Sequence, residues 1–265
     1  MTPEQRAEKR ILDLGISNPN DIDIEAIAFD ASVRVEYSDL NGCAAMLVGV
    51  GNNAIATVRR SGNYGRDRFS IAHELGHWEL HRGKSFKCRV DDPSQNLFSD
   101  TTLEKEADRY ASHLLMPSYL FTPVIKNIKW PSIPDLDEIA DLFKTSVLAT
   151  TLRLVKVDKL PLIVACYIKG KLKWRIAATH IPYSLSLKAT LDNDSFAYDL
   201  LTKGSPCNTP RKQPAEVWFT NNHAEDYSVL EQCYSQSNDQ VIVMLYLSDA
   251  GLLERCYNSV RKSRA

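Results

Sequence analysis

His73, Glu74 and His77 hold the one spacing in this chain that names a chemistry: two imidazoles four residues apart, with a carboxylate beside the first. On a helix, residues i and i+4 lie one above the other, so both rings can reach a single metal ion. Glu74 then stands where it can take a proton from water held by that ion. Two imidazoles and a carboxylate suit zinc, and the pattern is that of a zinc hydrolase, usually one that cuts peptide bonds.

Such a centre needs a third protein ligand and keeps a fourth position for water. Residues Leu103 to Met116 read as a helix ended by Pro117. On it Glu104, Ala107, Asp108, Ala111 and Leu115 share one side, and the small alanines let that side press against the histidine helix. Glu104 is the preferred third ligand; Glu106, well around the helix from it, is the rival. Asp108, one turn after Glu104, can accept a hydrogen bond from the non-coordinating nitrogen of a ligand histidine and so fix its tautomer.

The helix that carries the histidines is read from Phe69 onward. Ile71, Ala72, Leu75, Trp78 and Leu80 supply its apolar surface, and Ser70 serves as cap or first-turn residue. Gly76 costs such a helix about 1 kcal/mol relative to alanine. That cost makes sense if another backbone comes close.

The run from Arg66 to Arg82, followed by Glu-x-x-Ala-Asp-x-Tyr-Ala from Glu104 and Leu-Leu-Met-Pro up to Pro117, resembles the ImmA/IrrE metallopeptidases. The resemblance covers residues 50 to 120, and the paired motifs are far more specific than the pentapeptide alone. It implies a zinc-dependent endopeptidase with a minimal zincin-like domain. Members studied as regulators cut a helix-turn-helix repressor and so release a stress or mobile-element programme. Matched residue by residue, the family's ligands fall on His73, His77 and Glu104, and its catalytic glutamate on Glu74. The implied cofactor is Zn2+, and the implied partner is a protein substrate, a helix-turn-helix repressor. An oxyanion donor is also needed. Tyr110, His81, His113 and Arg82 are all near in sequence, with none preferred; His81 continues the His73/His77 ladder and could approach the site, but such a residue more often caps the helix or sits on the surface.

These motifs sit in a chain of 265 residues, 44% hydrophobic, with a net charge of −1. The near-neutral charge gives no electrostatic case for direct nucleic-acid binding. The start of the chain lacks the apolar core of a secretory signal, and the longest apolar runs are too short for a bilayer, so a cytoplasmic protein is expected. Six cysteines without a C-x-x-C pair predict free, mostly buried thiols.

The overall expectation is an α+β chain in three parts. Residues 1–126 form the zincin-like domain, with helices over 4–15 and 22–29 and strands over 33–37, 44–50 and 53–59. If Ala54–Val58 forms a sheet edge, a substrate could add to it as a strand. Residues Gly83–Ser99 read as a long loop bordering the cleft.

Residues 127–158 show a helix–turn–helix pattern, Asp135–Phe143 then Val147–Val157. Asp135, Asp137, Glu138 and Asp141 on its first helix would repel phosphates, so a structural or partner-docking pair is expected. Residues 159–265 read as an α/β sensor or recognition domain, compatible with the GAF-like domains of some longer family members. Its strands are expected at 160–168, 172–181, 216–220, 228–233 and 240–247, with a helix at 195–202, a loop at 203–213 and a closing helix through Val260. Two other readings stand against the peptidase: a transcription-associated binding protein with a silent or structural metal site, and a toxin-like zinc protease with broad targets. The intact Glu74 favours an enzyme, because a structural site closes its fourth position with a protein ligand.

Overall fold

Thr2 opens α1 (Pro3–Asp13) through a reciprocal cap, its hydroxyl accepting from the Gln5 N–H while the Gln5 side chain accepts from the Thr2 N–H. Asp23 caps α2 (Ile24–Asp30) by accepting from the N–H groups of Glu25 and Ala26. The computed structural model describes residues 1–40, 42–82, 86–88, 102–221 and 223–262. They fall into two units: Met1–Asn127 with Ile139–Thr150, and Ile128–Glu138 with Thr151–Ala265. Each has its own sheet and core, and the fold is mixed α+β.

In the first unit β1 (Val33–Tyr37), β2 (Ala45–Val50), β3 (Asn53–Val58) and β4 (Phe86–Cys88) form a sheet in the order β1-β3-β2-β4. Strand β1 runs parallel to β3, and the other pairs are antiparallel. Along β3 the side chains alternate, with Ala54, Ala56 and Val58 buried and Ile55 exposed. The expectation that Ala54–Val58 offers a free edge is overturned. Strand β3 hydrogen-bonds to β1 on one side and β2 on the other, so its backbone groups are already paired. Most of the Gly83–Ser99 loop expectation lies outside the described residues, where only Phe86–Cys88 appears, as β4.

The buried face of this sheet meets α3 (Tyr64–Leu80), which in turn packs on α4 (Thr102–Leu115) and α1. The Trp78 indole donates to the Ala31 carbonyl at 2.8 Å and fills the space left by Gly49, where a Cβ would meet the ring at 2.7 Å. Helix α5 (Ser118–Ile125) follows Pro117, then come α6 (Ile133–Phe143) and α7 (Val147–Val157), joined through Lys144 at φ 52. Residues of both α6 and α7 are divided between the two units.

The second unit is built on β5 (Leu162–Ile168), β6 (Lys171–Ala177), α8 (Phe196–Lys203), β7 (Cys207–Pro214), β8 (Ser228–Ser237), β9 (Gln240–Tyr246) and α9 (Ala250–Lys262). Its sheet is antiparallel in the order β6-β5-β9-β8-β7. Inner strand β5, between β6 and β9, buries Leu162 through Tyr167 without a break, as a strand covered on both faces must. Lys169 and Gly170, both at positive φ, make the β5–β6 hairpin turn.

Two expectations fail in this unit. Residues 203–213, read as a loop, contain β7. Residues 216–220, read as a strand, begin inside a 3-10 turn at Ala215–Val217 and hold an isolated bridge at Phe219 rather than a strand. Cys43, Cys166, Cys207, Cys233 and Cys256 are buried. Among the described residues no helix is long and apolar enough to cross a membrane.

Candidate metal centre

The histidine helix starts earlier than its apolar pattern suggests. Asn63 caps it, its side chain accepting from the Arg66 N–H at 3.0 Å, and Asp67 in the first turn accepts from the backbone and hydroxyl of Ser61. Ser70 therefore lies inside α3, well past its cap. From Ile71 to Trp78 every residue of α3 is buried, polar and apolar alike, because the sheet covers one side and α4 the other. Gly76 is where α4 comes closest. A Cβ there would lie 3.1 Å from the Ala107 Cα, 3.2 Å from the Ala107 carbonyl oxygen and 3.2 Å from the Tyr110 Cβ. The glycine trades helix propensity for this approach, and the approach brings the carboxylates of α4 to the rings of α3.

At that contact the Nε2 atoms of His73 and His77 lie 3.1 Å apart. Glu104 sets Oε2 at 3.2 Å from His73 Nε2 and Oε1 at 3.4 Å from His77 Nε2. One ligand atom from each of the three residues lies within 4.8 Å of the others. Atoms held at about 2.0–2.1 Å around a tetrahedral ion would be about 3.3 Å apart. The observed spacings bracket that value.

The proton positions point the same way. His73 Nδ1 lies 2.8 Å from Asp108 Oδ1, an acceptor-only partner when ionised. In the neutral ring Nδ1 carries the hydrogen, which leaves Nε2 to offer a lone pair to a cation placed between the rings and Glu104. Burial lowers the pKa of His77, with the neighbouring His73 and His81 adding to the effect. Burial opposes ionisation of Glu104, but its contacts to His73 and His77 outweigh that and hold the carboxyl well below the usual range. A carboxylate and two imidazoles gathered at a largely buried helix contact make a donor set that a divalent cation fits. Glu74, next to His73, is fully buried on the same helix.

Glu106, the rival ligand, points elsewhere: its Oε2 lies 2.9 Å from His81 Nε2. His81, read from sequence as a cap or surface residue, is only 8% exposed, and its Nδ1 lies 3.1 Å from His77 Nδ1. Its spacing of four from His77 was the available signal. Of the remaining oxyanion candidates, two are turned to other partners and the third is enclosed. His113 bonds Glu8 at 2.7 Å, the Arg82 guanidinium lies over the Trp78 ring, and the Tyr110 phenol is buried, its pKa raised first by desolvation and then by Glu79.

Residues 57–155 match a protein family described as peptidase M78, IrrE N-terminal-like domain. In fold, the chain is similar to a solved structure titled Mycobacterium tuberculosis transcriptional regulator. The TM-score is 0.60 at 15% identity, over 92% of this chain and 76% of that one. No curated protein matches the chain in sequence.

Proposed function

From the match of residues 57–155 to the peptidase M78, IrrE N-terminal-like family, we propose that this is a cytoplasmic zinc endopeptidase that cuts a regulatory protein. The substrate we favour is a helix-turn-helix repressor, whose loss switches on a stress or mobile-element response. The observation that carries the reading is the meeting of His73, His77 and Glu104 beside a buried Glu74. In this reading the two Nε2 atoms and the Glu104 carboxylate hold the ion. When bound there, zinc supplies Lewis acidity, making a water more acidic and a peptide carbonyl more electrophilic.

The chain's own groups do the rest. Asp108 accepts from His73 Nδ1–H and keeps Nε2 free to bind. Glu74 takes the proton of the attacking water and passes it to the leaving amine, a role worth about 10²–10⁴ in rate. Burial of the rings and of Glu74 excludes competing water and strengthens these interactions. The repressor as target rests on the family resemblance. The second unit, in this scheme, is a sensor or recognition module of GAF-like type.

Replacing Glu74 by Gln in the zinc-loaded protein tests the reading. Cleavage of a repressor encoded beside this gene, followed by the new N-terminus it creates, should fall by at least about 100-fold while zinc stays bound. Unchanged cleavage would end the peptidase assignment. New N-termini scattered across a whole lysate would favour the broad-target protease instead.

A further inference from the structure

We propose that His81 and Glu106 form a positioning relay that orients the second imidazole of the metal centre, a counterpart of the single carboxylate that orients the first. The inference rests on the metal-centre reading above and adds to it a task for two residues outside the ligand set.

His81 lies just beyond α3, where its N–H closes the last turn on the His77 carbonyl at 2.8 Å. From there its ring reaches back beneath His77. Nδ1 meets Nδ1 at 3.1 Å, and on the far side His81 Nε2 meets Glu106 Oε2 at 2.9 Å. The side chain of His81 is 5% exposed and that of Glu106 30%, so the histidine is enclosed and the carboxylate closes the outer end.

The hydrogen positions in this row follow from its two ends. A neutral His77 that offers the Nε2 lone pair carries its hydrogen on Nδ1, and donates it to His81 Nδ1. His81 must then carry its own hydrogen on Nε2, and it donates to the acceptor-only Glu106. No other neutral arrangement satisfies all three groups while leaving His77 Nε2 free. His73 reaches the same end in one step through Asp108 at 2.8 Å. Both imidazoles are therefore backed by a carboxylate of α4, one directly and one through a histidine. Helix geometry explains the difference. Asp108 comes one turn after Glu104, close to His73, whereas Glu106 leaves α4 on another side and needs an intermediate ring to reach His77. Partners of this kind fix ring orientation and typically change metal affinity by about 10–100-fold.

Zinc affinity, measured by competition with a chromophoric chelator, reads the relay directly. Glu106→Ala and His81→Phe should each weaken binding by about 10–100-fold. The double variant should bind no more weakly than His81→Phe alone, because both break one chain. Glu106→Gln, which keeps an acceptor oxygen for His81, should recover most of the loss. Thermal unfolding of the metal-free Glu106 variants should match that of the parent, as a purely structural role would not. Wild-type affinity in Glu106→Ala, or losses that simply add, would overturn the relay. If His81→Phe does not fold, the Glu106 pair decides alone. A parent chain that binds no zinc would remove the metal centre and the relay together, whereas a zinc-binding parent with indifferent variants removes only the relay.

Discussion

Two enclosed carboxylates, one in each unit, answer burial in opposite ways. Glu104 in the first unit has 22% of its side chain exposed and is held ionised by two imidazoles at 3.2 and 3.4 Å. Glu231 in the second unit is fully buried under α8, accepting from the Ala197 N–H at 2.7 Å and the Trp218 indole at 2.9 Å. Burial pushes its carboxyl up to about 7 against those bonds. The first environment supplies a donor set that fits a cation; the second supplies neutral N–H donors in an apolar core, with only a minor contribution from the Arg211 charge. Depth alone does not decide the charge of a buried acid, and the partners that share the cavity do.

The largest effect should come from removing the partner that sets this contrast. Glu104→Ala should cost zinc affinity more than about 100-fold, beyond what loss of an outer partner does. A chelator titration that finds parental affinity would strike Glu104 from the ligand set.

Glu231 gives the next largest effect, and its sign is opposite to that of an ordinary surface acid. Its folded pKa of about 7 lies above the reference value of 4.5, so the folded state holds a proton that the unfolded state has released. The contribution is fully present below pH 4.5 and fades as pH rises through 7, by on the order of 3 kcal/mol. Urea unfolding followed by tryptophan fluorescence between pH 5 and 7, within that window, should show this decline. In Glu231→Gln the slope should flatten, since the amide does not titrate. A parallel slope in the two proteins would mean that Glu231 is ionised throughout.

A smaller effect tests how firmly the first unit holds its rings. Gly65, at the start of α3, has no room for a side chain: a Cβ would lie 2.7 Å from the Thr145 carbonyl carbon and 2.8 Å from the Ser146 nitrogen. Both are backbone atoms, so Gly65→Ala should lower stability by about 1–3 kcal/mol despite its better helix propensity. A raised melting temperature would show that this turn yields easily.

Much of the candidate site's geometry was legible because it repeats with the helix period. His73, His77, Glu104 and Asp108 are each placed by spacing along one of two helices, and Gly76 announced a close contact between them. What sequence hid was set by neighbours far along the chain. Residues 203–213 looked like a loop because Gly204, Pro206 and Pro210 interrupt them. Strand β7 tolerates Pro210 because it is the outermost strand of its sheet, and its register with β8 shifts between Cys207 and Arg211. In the same way β3 looked available for a substrate until β1, earlier in the chain, proved to lie along its other side. His81 caps α3, as its position suggested, but its contact with Glu106 was hidden, because period alone set Glu106 on another face.

The path of the chain between the units has a practical consequence. It leaves the first after Asn127, returns at Ile139 and leaves again after Thr150. The excursion is anchored, since Gln232 and the Tyr246 hydroxyl both donate to the Pro131 carbonyl, at 2.7 and 2.6 Å. A fragment stopped at Asn127 would forfeit a stretch of its own unit, and one stopped at Thr150 would carry away a stretch of the other. The two halves are laced rather than merely tethered, so a protease nick at one crossing should leave them still joined by the threads that remain.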